Sequence, residues 1–289
     1  MTSSILFDVA GPRTRARHRI YTAVAALLLL AAVGLVVWRF QQKGQFAYEL
    51  WEPFVTPDFV RVLLVDGLLE TLKMAFFSVI LAVVFGTLFG IGKLSEHAPV
   101  RWSCWAVVEF FRAVPVLLMM IFLFFAYGTG EGGIGSFWCV VIALTLYNGS
   151  VLAEVFRAGI LAVPRGQSEA AYAIGMRKSQ VMIQVLLPQA VKIMLPAIIS
   201  QCVVALKDTS LGYAILAPGL TAISKQIYTE FQNQVQTVIV VAALYIVTNL
   251  VLTAIATWVQ RKFVGEKKPL EVLLIAQTDA DTGLAPGGR

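Results

Sequence analysis

The sequence predicts an all-α polytopic membrane protein with about six transmembrane helices, and three observations carry this prediction. Hydrophobic residues make up 58% of the 289 positions and charged residues only 14%, whereas a soluble domain carries about 25% charged residues. Several apolar runs reach the roughly 20 residues that a helix needs to cross a bilayer core about 30 Å thick. The Lys and Arg residues lie between these runs, which is the distribution that the positive-inside rule produces.

The chain begins with a basic polar tail, residues 1–19, followed by a continuous apolar run over 20–38. This run is too long for the apolar part of a signal peptide, and the residues after it, 39–42, offer no small-residue cleavage site. We therefore interpret the run as a retained first transmembrane helix whose N-terminus lies in the cytoplasm. Residues 39–65 are then expected to form an extracellular segment.

Five further helices are predicted between residues 66 and 262. Their expected bounds are 66–94, 106–127, 137–159, 192–216 and 237–260. Lys93 and Arg101 are read as marking a cytoplasmic turn, and residues 160–191 as a cytoplasmic loop. The even number of helices and the charge bias place both termini in the cytoplasm. The tail, 263–289, is Gly/Ala/Asp-rich and is expected to be disordered.

Smaller patterns add detail to this prediction. Gly86 and Gly90 have the small-xxx-small spacing that permits close helix approach in lipid. Pro218, Gly219 and Lys225 are assigned to an outer loop before the last helix.

Composition and spacing also exclude several kinds of site and partner. The net charge of +6 could indicate a nucleic-acid partner, but the basic residues form no single patch, and no nucleic acid is expected. The three cysteines lie at or inside apolar segments without CxxC spacing, so neither a metal site nor a disulfide framework is expected. The glycine-rich segment 128–136 has no lysine and no GxxxxGK[ST] pattern, which favours a turn over a phosphate-binding loop. No cofactor is expected.

One cytoplasmic segment carries the most specific signal. Residues 168–174 favour a helix with Glu169 in its first turn. Gly175 suits a helix end in the left-handed conformation, and Ser179 can cap a second short helix that Pro188 interrupts. The pattern predicts helix–turn–helix with a surface of small alanine side chains that another protein can approach. From the pattern alone, an ordinary short interfacial helix is equally compatible.

This segment resembles the EAA loop of ABC-importer permeases. The shared pattern is EAA, a glycine four residues after the second alanine, and a downstream Leu-Pro. The matching residues are Glu169, Ala170, Ala171, Gly175, Leu187 and Pro188. The resemblance implies that they form the coupling helix that docks into a groove of a cytoplasmic ATPase. Because the chain has no Walker A motif, the ATPase is expected to be a separate subunit and this chain not to be an enzyme.

Over roughly residues 66–262 the chain resembles, more narrowly, the polar-amino-acid branch of these permeases. The three elements that carry the resemblance are 108–115 (E-x-FRGTP-like), 147–167 (AExxRGGI–VPxGQ-like) and 207–211 (KDTSL). The chain departs from the usual glycines and threonine at Ala113, Val114 and Ala158. The extra first helix and the FFRAVP element are most similar to glutamate-uptake permeases of high-GC Gram-positive bacteria.

The resemblance implies a type I ABC-importer permease core and a set of partners. An extracellular substrate-binding lipoprotein delivers a polar amino acid, glutamate above all, to the outer face. A dimer of cytoplasmic ATPase subunits closes on ATP and moves the coupling helices. One copy of six helices supplies half of a translocation path, so the chain pairs with an identical or homologous permease in the lipid of the plasma membrane.

Polar and ionisable residues inside the predicted spans form the candidate substrate path, because a charge at a helix centre costs roughly 2.5–3.5 kcal/mol on insertion scales. The candidates are Arg112, Pro115, Tyr147, Asn148, Glu154, Lys207, Asp208, Thr209 and Ser210. Glu109–Arg112 and Glu154–Arg157 also have the i, i+3 spacing of ion pairs, and a structural pair near the cytoplasmic end is the favoured reading of both. Tyr147 and Asn148 could equally hold helices together. Lys207 and Asp208 could equally form a structural pair, and the hydroxyls of Thr209 and Ser210 could hydrogen-bond so as to break the helix locally.

Two other functional classes compete with the importer. A secondary transporter or channel would explain the helices and buried charges, but it does not need the EAA loop, and no inverted repeat is visible. A membrane enzyme is disfavoured because the sequence has no HExxH or GxSxG motif, and because His18 and His97 lie in a tail and a turn.

Overall fold

A computed structural model describes residues 12–264, and within that range every regular element is helical. The helices are α1 Pro12–Gln42, α2 Tyr48–Trp51, α3 Pro57–Val62, α4 Glu70–Lys93, α5 Ala98–Ala113, α6 Val116–Leu123, α7 Gly135–Leu161, α8 Arg165–Ala173, α9 Lys178–Gln180, α10 Leu187–Asp208, α11 Leu220–Phe231 and α12 Gln234–Val264. Three π-helical stretches (Leu63–Leu69, Phe124–Gly128 and Val181–Leu186) and two 3-10 stretches (Glu52–Phe54 and Thr209–Ile215) connect some of them. The predicted tails lie outside the described residues, apart from 12–19 in α1 and 263–264 in α12.

Five continuous helical segments in the described range are long and apolar enough to cross a membrane. They are Thr14–Gln42, Pro57–Lys93, Gly135–Leu161, Lys178–Ile215 and Gln234–Lys262. A sixth span results if α5 and the segment Val116–Gly128 are counted together. The predicted all-α, multi-pass fold class is therefore confirmed.

The predicted continuous third helix, 106–127, is wrong. α5 ends at Ala113, and the chain bends by 96° before Val116. Pro115 causes the break because it has no N–H to donate and disfavours the α conformation in the residue before it. Val114 is accordingly extended, with φ −79° and ψ 126°.

The second and fifth helices begin earlier than predicted. The second span starts at Pro57, so the last part of segment 39–65 is helical. The fifth span starts at Lys178, and the predicted interruption at Pro188 is wrong. The π-helical stretch Val181–Leu186 continues directly into the first turn of α10, which contains Pro188. The helical hydrogen-bond pattern changes at this point, so the N–H that Pro188 lacks does not interrupt the span.

The residues around the start of the fifth span also differ from the prediction. Ser179 is not the cap of a short helix; it lies inside α9, and Arg177 is the residue before that helix. The side-chain oxygen of Gln180 accepts the backbone N–H of Arg177 at 2.8 Å. The identity of a capping residue depends on which residue begins the helix. Because the span begins earlier than predicted, a different residue occupies the cap position.

Helix α11 was missed, because its residues were assigned to an outer loop. Leu220, Ile223 and Ile227 are buried on one side of it, and this side packs against the stretch Leu63–Leu69. The spacing i, i+3, i+7 is that of an amphipathic helix. The signal was therefore in the sequence, in a segment too short and too polar to span a membrane.

The most extensive helix contact in the described part of the chain lies between α4 and α7. A Cβ atom placed on Gly86 would lie 2.7 Å from the Cβ of Leu152, and one on Gly90 would lie 2.9 Å from the carbonyl oxygen of Ala153. These distances leave no room for a side chain. The predicted close approach at Gly86 and Gly90 is confirmed, and α7 is the partner helix.

Replacing Gly90 by valine should destabilise the protein, because the new side chain overlaps the α7 backbone; overpacking of this kind costs about 1–3 kcal/mol. Thermal unfolding in detergent, followed by size-exclusion chromatography of the fluorescently tagged protein, measures the effect. Gly34→Val in α1 is the matched control, since no atom lies within 4 Å of that Cβ position. Equal melting temperatures for the two variants would contradict the close α4–α7 contact.

Candidate functional site

The EAA-like segment forms a short helix with a defined end. Gly175 has φ +81°, so the predicted left-handed conformation is confirmed. The N–H of Gly175 donates to the carbonyl of Tyr172 at 2.9 Å, and the N–H of Met176 donates to the carbonyl of Ala171 at 3.2 Å. These two bonds are the pair that defines a Schellman motif. Gly175 thus ends α8 and turns the chain toward α9.

The side chains of α8 divide between the protein and the solvent. Ala171 is buried, while Glu169, Ala170 and Ala173 are exposed. The exposed alanine surface that the sequence predicted therefore contains Ala170 and Ala173 but not Ala171. Ile174 is 79% exposed, a large fraction for an apolar side chain. Packing holds the Ala171 side of α8 against the protein and leaves the opposite side open to another molecule.

We call that open side the coupling face and define it as Glu169, Ala170, Tyr172 and Ile174, all exposed. Leu187 and Pro188, the Leu-Pro of the motif, are exposed at the start of α10. The coupling face combines two large apolar side chains with one carboxylate. Such a face suits a protein partner better than water.

A single ion pair connects this segment to the turn between α4 and α5. Lys178 pairs with Glu96 in that turn. The hydrogen bond from the Lys178 ammonium holds the pKa of the Glu96 carboxyl below its ordinary value. Because both side chains are exposed, the pair contributes little energy. The coupling face is therefore positioned mainly by the backbone and by Ala171.

A network of ion pairs joins α4, α5 and α7. The Lys93 side chain is only 6% exposed, and its ammonium lies 3.5 Å from a Glu109 oxygen and pairs with Glu154. Arg112 Nη1 donates to Glu109 at 3.1 Å, and Arg157 Nε donates to Glu154 at 2.9 Å. Both pairs predicted at i, i+3 are therefore present. The lysine between them links the two pairs into one network.

Sequence reasoning missed the role of Lys93, which was interpreted as a marker of a cytoplasmic turn. A lysine at the end of an apolar helix usually extends its ammonium into water. Here the ammonium is enclosed by carboxylates from two other helices, a contact that no local spacing reveals. Arg112 and Glu154, proposed for a substrate path, are both engaged in the network. Pro115 lies exposed beside the bend after α5.

Asn148 holds two helices together. Its side-chain nitrogen donates to the carbonyl of Leu144 at 2.9 Å, and Gln201 on α10 donates to its side-chain oxygen. Asn148 is buried, and the neighbouring Tyr147 is half-buried against an apolar cluster. Asn148 was a candidate both for the substrate path and for a contact between helices. The structure supports the contact between helices.

The KDTSL element lies at a change of helix type. α10 ends at Asp208 and a 3-10 stretch begins at Thr209, so the expected α-helix to residue 216 is wrong. The hydroxyl of Thr209 donates to the carbonyl of Leu206 at 2.7 Å, which favours the tighter turn. Ser210 is half-buried in that turn.

The two charged residues of this element lack partners. Within residues 12–264, no side chain forms an ion pair or a hydrogen bond with Lys207 or Asp208, although Lys207 is exposed at the protein surface and Asp208 is half-buried. No such bond joins them to the Lys93 network either. Among the candidate cations of the substrate path, Arg112 is neutralised by Glu109, whereas Lys207 remains available.

Removing one member of the buried pair should destabilise the protein strongly. Glu154→Gln leaves the enclosed Lys93 ammonium with one distant carboxylate, and breaking a buried pair costs about 3–5 kcal/mol. The double variant Lys93→Met with Glu154→Gln should recover part of this loss. A double-mutant cycle from thermal unfolding in detergent measures the coupling.

The i, i+3 pair Glu70–Lys73, whose lysine is 47% exposed where Lys93 is 6% exposed, provides the control for that cycle. Glu70→Gln should cost less than about 1 kcal/mol, because exposed pairs contribute little. If Glu154→Gln lowered the free energy of unfolding by no more than Glu70→Gln does, the Lys93 network would not stabilise the protein more than the control pair.

Comparison with known proteins agrees with this arrangement. A family model described as "Binding-protein-dependent transport system inner membrane component" matches residues 82–265. The chain is 42% identical over 245 residues to the glutamate transport system permease protein GluD of Corynebacterium glutamicum, covering 84% of this chain and 90% of that protein. It is 32% identical over 203 residues to the arginine transport system permease protein ArtQ of Bacillus subtilis, covering 69% of this chain and 91% of that protein.

Solved structures give the same result for the fold. A crystal structure of an amino acid ABC transporter with histidines superposes with TM-score 0.65 at 29% identity, over 71% of this chain and 95% of that chain. The MetNI methionine ABC transporter superposes with TM-score 0.64 at 22% identity, over 72% and 99% of the two chains. At that lower identity the likeness concerns the fold alone.

Proposed function

Because the chain belongs to the family of binding-protein-dependent transport system inner membrane components, we propose that it carries glutamate through the plasma membrane. It is a membrane-spanning permease subunit of an ATP-binding-cassette importer and is not itself an enzyme. The identity of the substrate, the residues that contact it and the partners are proposals, supported as follows.

Similarity to characterised permeases supports glutamate as the substrate. GluD, named for glutamate transport, shares 42% identity over most of both chains, and a glutamate/aspartate import permease, GltK of Escherichia coli O157:H7, shares 29% over 207 residues. An acidic amino acid carries one carboxylate more than a neutral one and needs a further cation along its path. The unpartnered Lys207 supplies a cation, with Asp208, Thr209 and Ser210 beside it.

The observation that carries the coupling role is the exposed, sharply ended helix α8. The Schellman motif at Gly175 determines where α8 stops, and the coupling face points away from the protein. We assign the docking of a separate ATPase to this face, with Leu187 and Pro188 at its border. A movement of α8 reaches the membrane through α7, which precedes it, and through the continuous fifth span, which follows.

The remaining partners follow from the size of the chain and from its charge distribution. Six spans make half of a path, so we assign a second permease subunit, identical or related, together with an ATPase dimer and an extracellular substrate-binding lipoprotein. Arg165 begins α8, Arg177 and Lys178 follow it, and Arg261 and Lys262 lie in the last turn of α12. By the positive-inside rule these ends, and hence both termini, are cytoplasmic.

Substitution of Gly175 should weaken the coupling between the permease and its ATPase, so that both uptake and stimulated ATP hydrolysis fall, while leaving membrane insertion intact. Gly175→Val forces a branched side chain into a left-handed backbone conformation, at a cost of about 1–2 kcal/mol, and so frays the end of α8. Amino-acid uptake and binding-protein-stimulated ATPase activity should fall roughly 5–30-fold, the factor that corresponds to that free energy. Reconstituted proteoliposomes provide both measurements.

Gly166→Val is the matched control, since Gly166 lies in the same helix with ordinary backbone angles and no atom within 4 Å of its Cβ position. It should retain most of the activity. Loss of membrane insertion in Gly175→Val, or equal losses in the two variants, would contradict the coupling role.

The importer assignment itself is tested by ATPase activity of the reconstituted complex, with its ATPase, binding protein and second permease. Glutamate-loaded binding protein should stimulate ATP hydrolysis, whereas the same protein without ligand should stimulate it less. Uptake that requires an ion gradient and is indifferent to ATP would instead identify a secondary transporter.

A further inference from the structure

A cavity opens at the end of the helix bundle where α4 finishes and α5 begins. It has a volume of about 600 Å³ and is lined by residues of α4, α5 and α7. Lys93 is the last residue of α4, and Arg157 lies one turn before the end of α7, about 6 Å along the helix axis. The cavity therefore lies at the level where the headgroups of a membrane meet its apolar core.

The charges around this cavity do not balance. The charged residues of its lining are three cations and two carboxylates: Lys93, Arg101, Arg157, Glu109 and Glu154. Each carboxylate is already paired with two cations, since Lys93 reaches both and an arginine on the same helix binds each. With Arg112, the arginine that binds Glu109, four cations stand against two carboxylates. The cluster thus has an excess of positive charge.

Two arginines of the cavity keep donors for a further acceptor. Arg157 donates through Nε to Glu154 at 2.9 Å, and Arg101 donates through Nη1 to a backbone carbonyl of the α4–α5 turn at 3.0 Å. Among residues 12–264 no carboxylate pairs with Arg101, and the nearby Glu96 is engaged by Lys178. The remaining guanidinium nitrogens offer the planar arrangement of donors that suits phosphate oxygens.

An exposed apolar surface begins beside the cavity. Trp102 and Trp105 belong to the lining, and their rings meet edge to face with centroids 5.7 Å apart. Trp102, Ala106 and Phe110 follow at intervals of four on one side of α5, and Trp102 and Phe110 are 62% and 61% exposed. Tryptophan is enriched where headgroups meet acyl chains. A cationic cavity and an apolar stripe are therefore adjacent on the same helix.

We propose that this cavity binds the phosphate headgroup of an anionic phospholipid, with Arg101 and Arg157 binding the phosphate and the acyl chains lying along Trp102 and Phe110. The excess positive charge favours an anion, and the apolar stripe favours an amphiphile over a soluble phosphate. Basic pockets between transmembrane helices at the cytoplasmic side are sites of this kind. The bound lipid reduces the excess charge of the Lys93 network and so stabilises the end of the bundle. The inference concerns the membrane and not the transported substrate.

Lipid binding by the purified full-length permease complex tests this site. The delipidated complex in detergent is titrated with dioleoyl phosphatidylglycerol or with dioleoyl phosphatidylcholine, and native mass spectrometry counts the bound lipids. Phosphatidylglycerol should bind about tenfold more tightly, because more than one basic residue favours the anionic lipid. Arg101→Gln should weaken phosphatidylglycerol binding about fivefold, the factor expected for one basic residue, and phosphatidylcholine binding by less than about twofold.

Arg61→Gln is the matched control, because it removes an exposed arginine outside the cavity, and it should bind phosphatidylglycerol as the original protein does. Arg101→Lys keeps the charge and should retain most of the affinity, which separates loss of charge from loss of fold. Inorganic phosphate at the concentration of the lipid should displace little of it, because phosphate has no apolar part.

Three results would overturn the inference: equal affinity for the two lipids, equal affinity of Arg101→Gln and Arg61→Gln for phosphatidylglycerol, or displacement of the lipid by inorganic phosphate. The last result would identify a site for a soluble anion. None of these measurements involves transport, so their failure leaves the proposed function standing, and absence of glutamate import would leave the lipid site standing.

Discussion

The close contact between α4 and α7 is the constraint on which the rest of the structure depends. Helices in lipid gain little from the hydrophobic effect when they associate, since lipid tails are as apolar as their side chains. Association therefore relies on close packing and on polar contacts. Gly86 and Gly90 supply the packing, because α7 lies where their side chains would be. Helices α5, α6 and α10 pack against this pair, and α12 packs against α10.

Lys93 adds ion pairs to the packing contact between α4 and α7. It ends α4, next to the glycine-lined surface, and its enclosed ammonium reaches Glu154 on α7 and Glu109 on α5. α5 is thereby held at the end of the α4–α7 pair, although Pro115 has cut it from the helix that follows. The bend and the ion pairs act together, because the bend frees α5 to turn and the ion pairs determine where it stays.

Mechanical coupling follows from the covalent order of the elements. α7, the most deeply buried span, leads through a short turn into α8, and the long fifth span begins soon after Gly175. The coupling face is thus attached at both ends to transmembrane helices while its own packing is light. A partner that binds this face can move those helices without first breaking a large interface.

The sequence by itself determined the fold class, the close approach at Gly86 and Gly90 and the left-handed Gly175, because each depends on local composition or spacing. It also determined the ion pairs at i, i+3. Only the tertiary structure decided that Lys93 joins those pairs and that Asn148 connects two helices, since these contacts unite residues far apart in the chain. The break at Pro115 and helix α11 could have been predicted from the sequence but were not. Both had local signals, yet the apolar composition around Pro115 and the polarity of α11 masked them, because hydropathy measures affinity for lipid rather than backbone geometry.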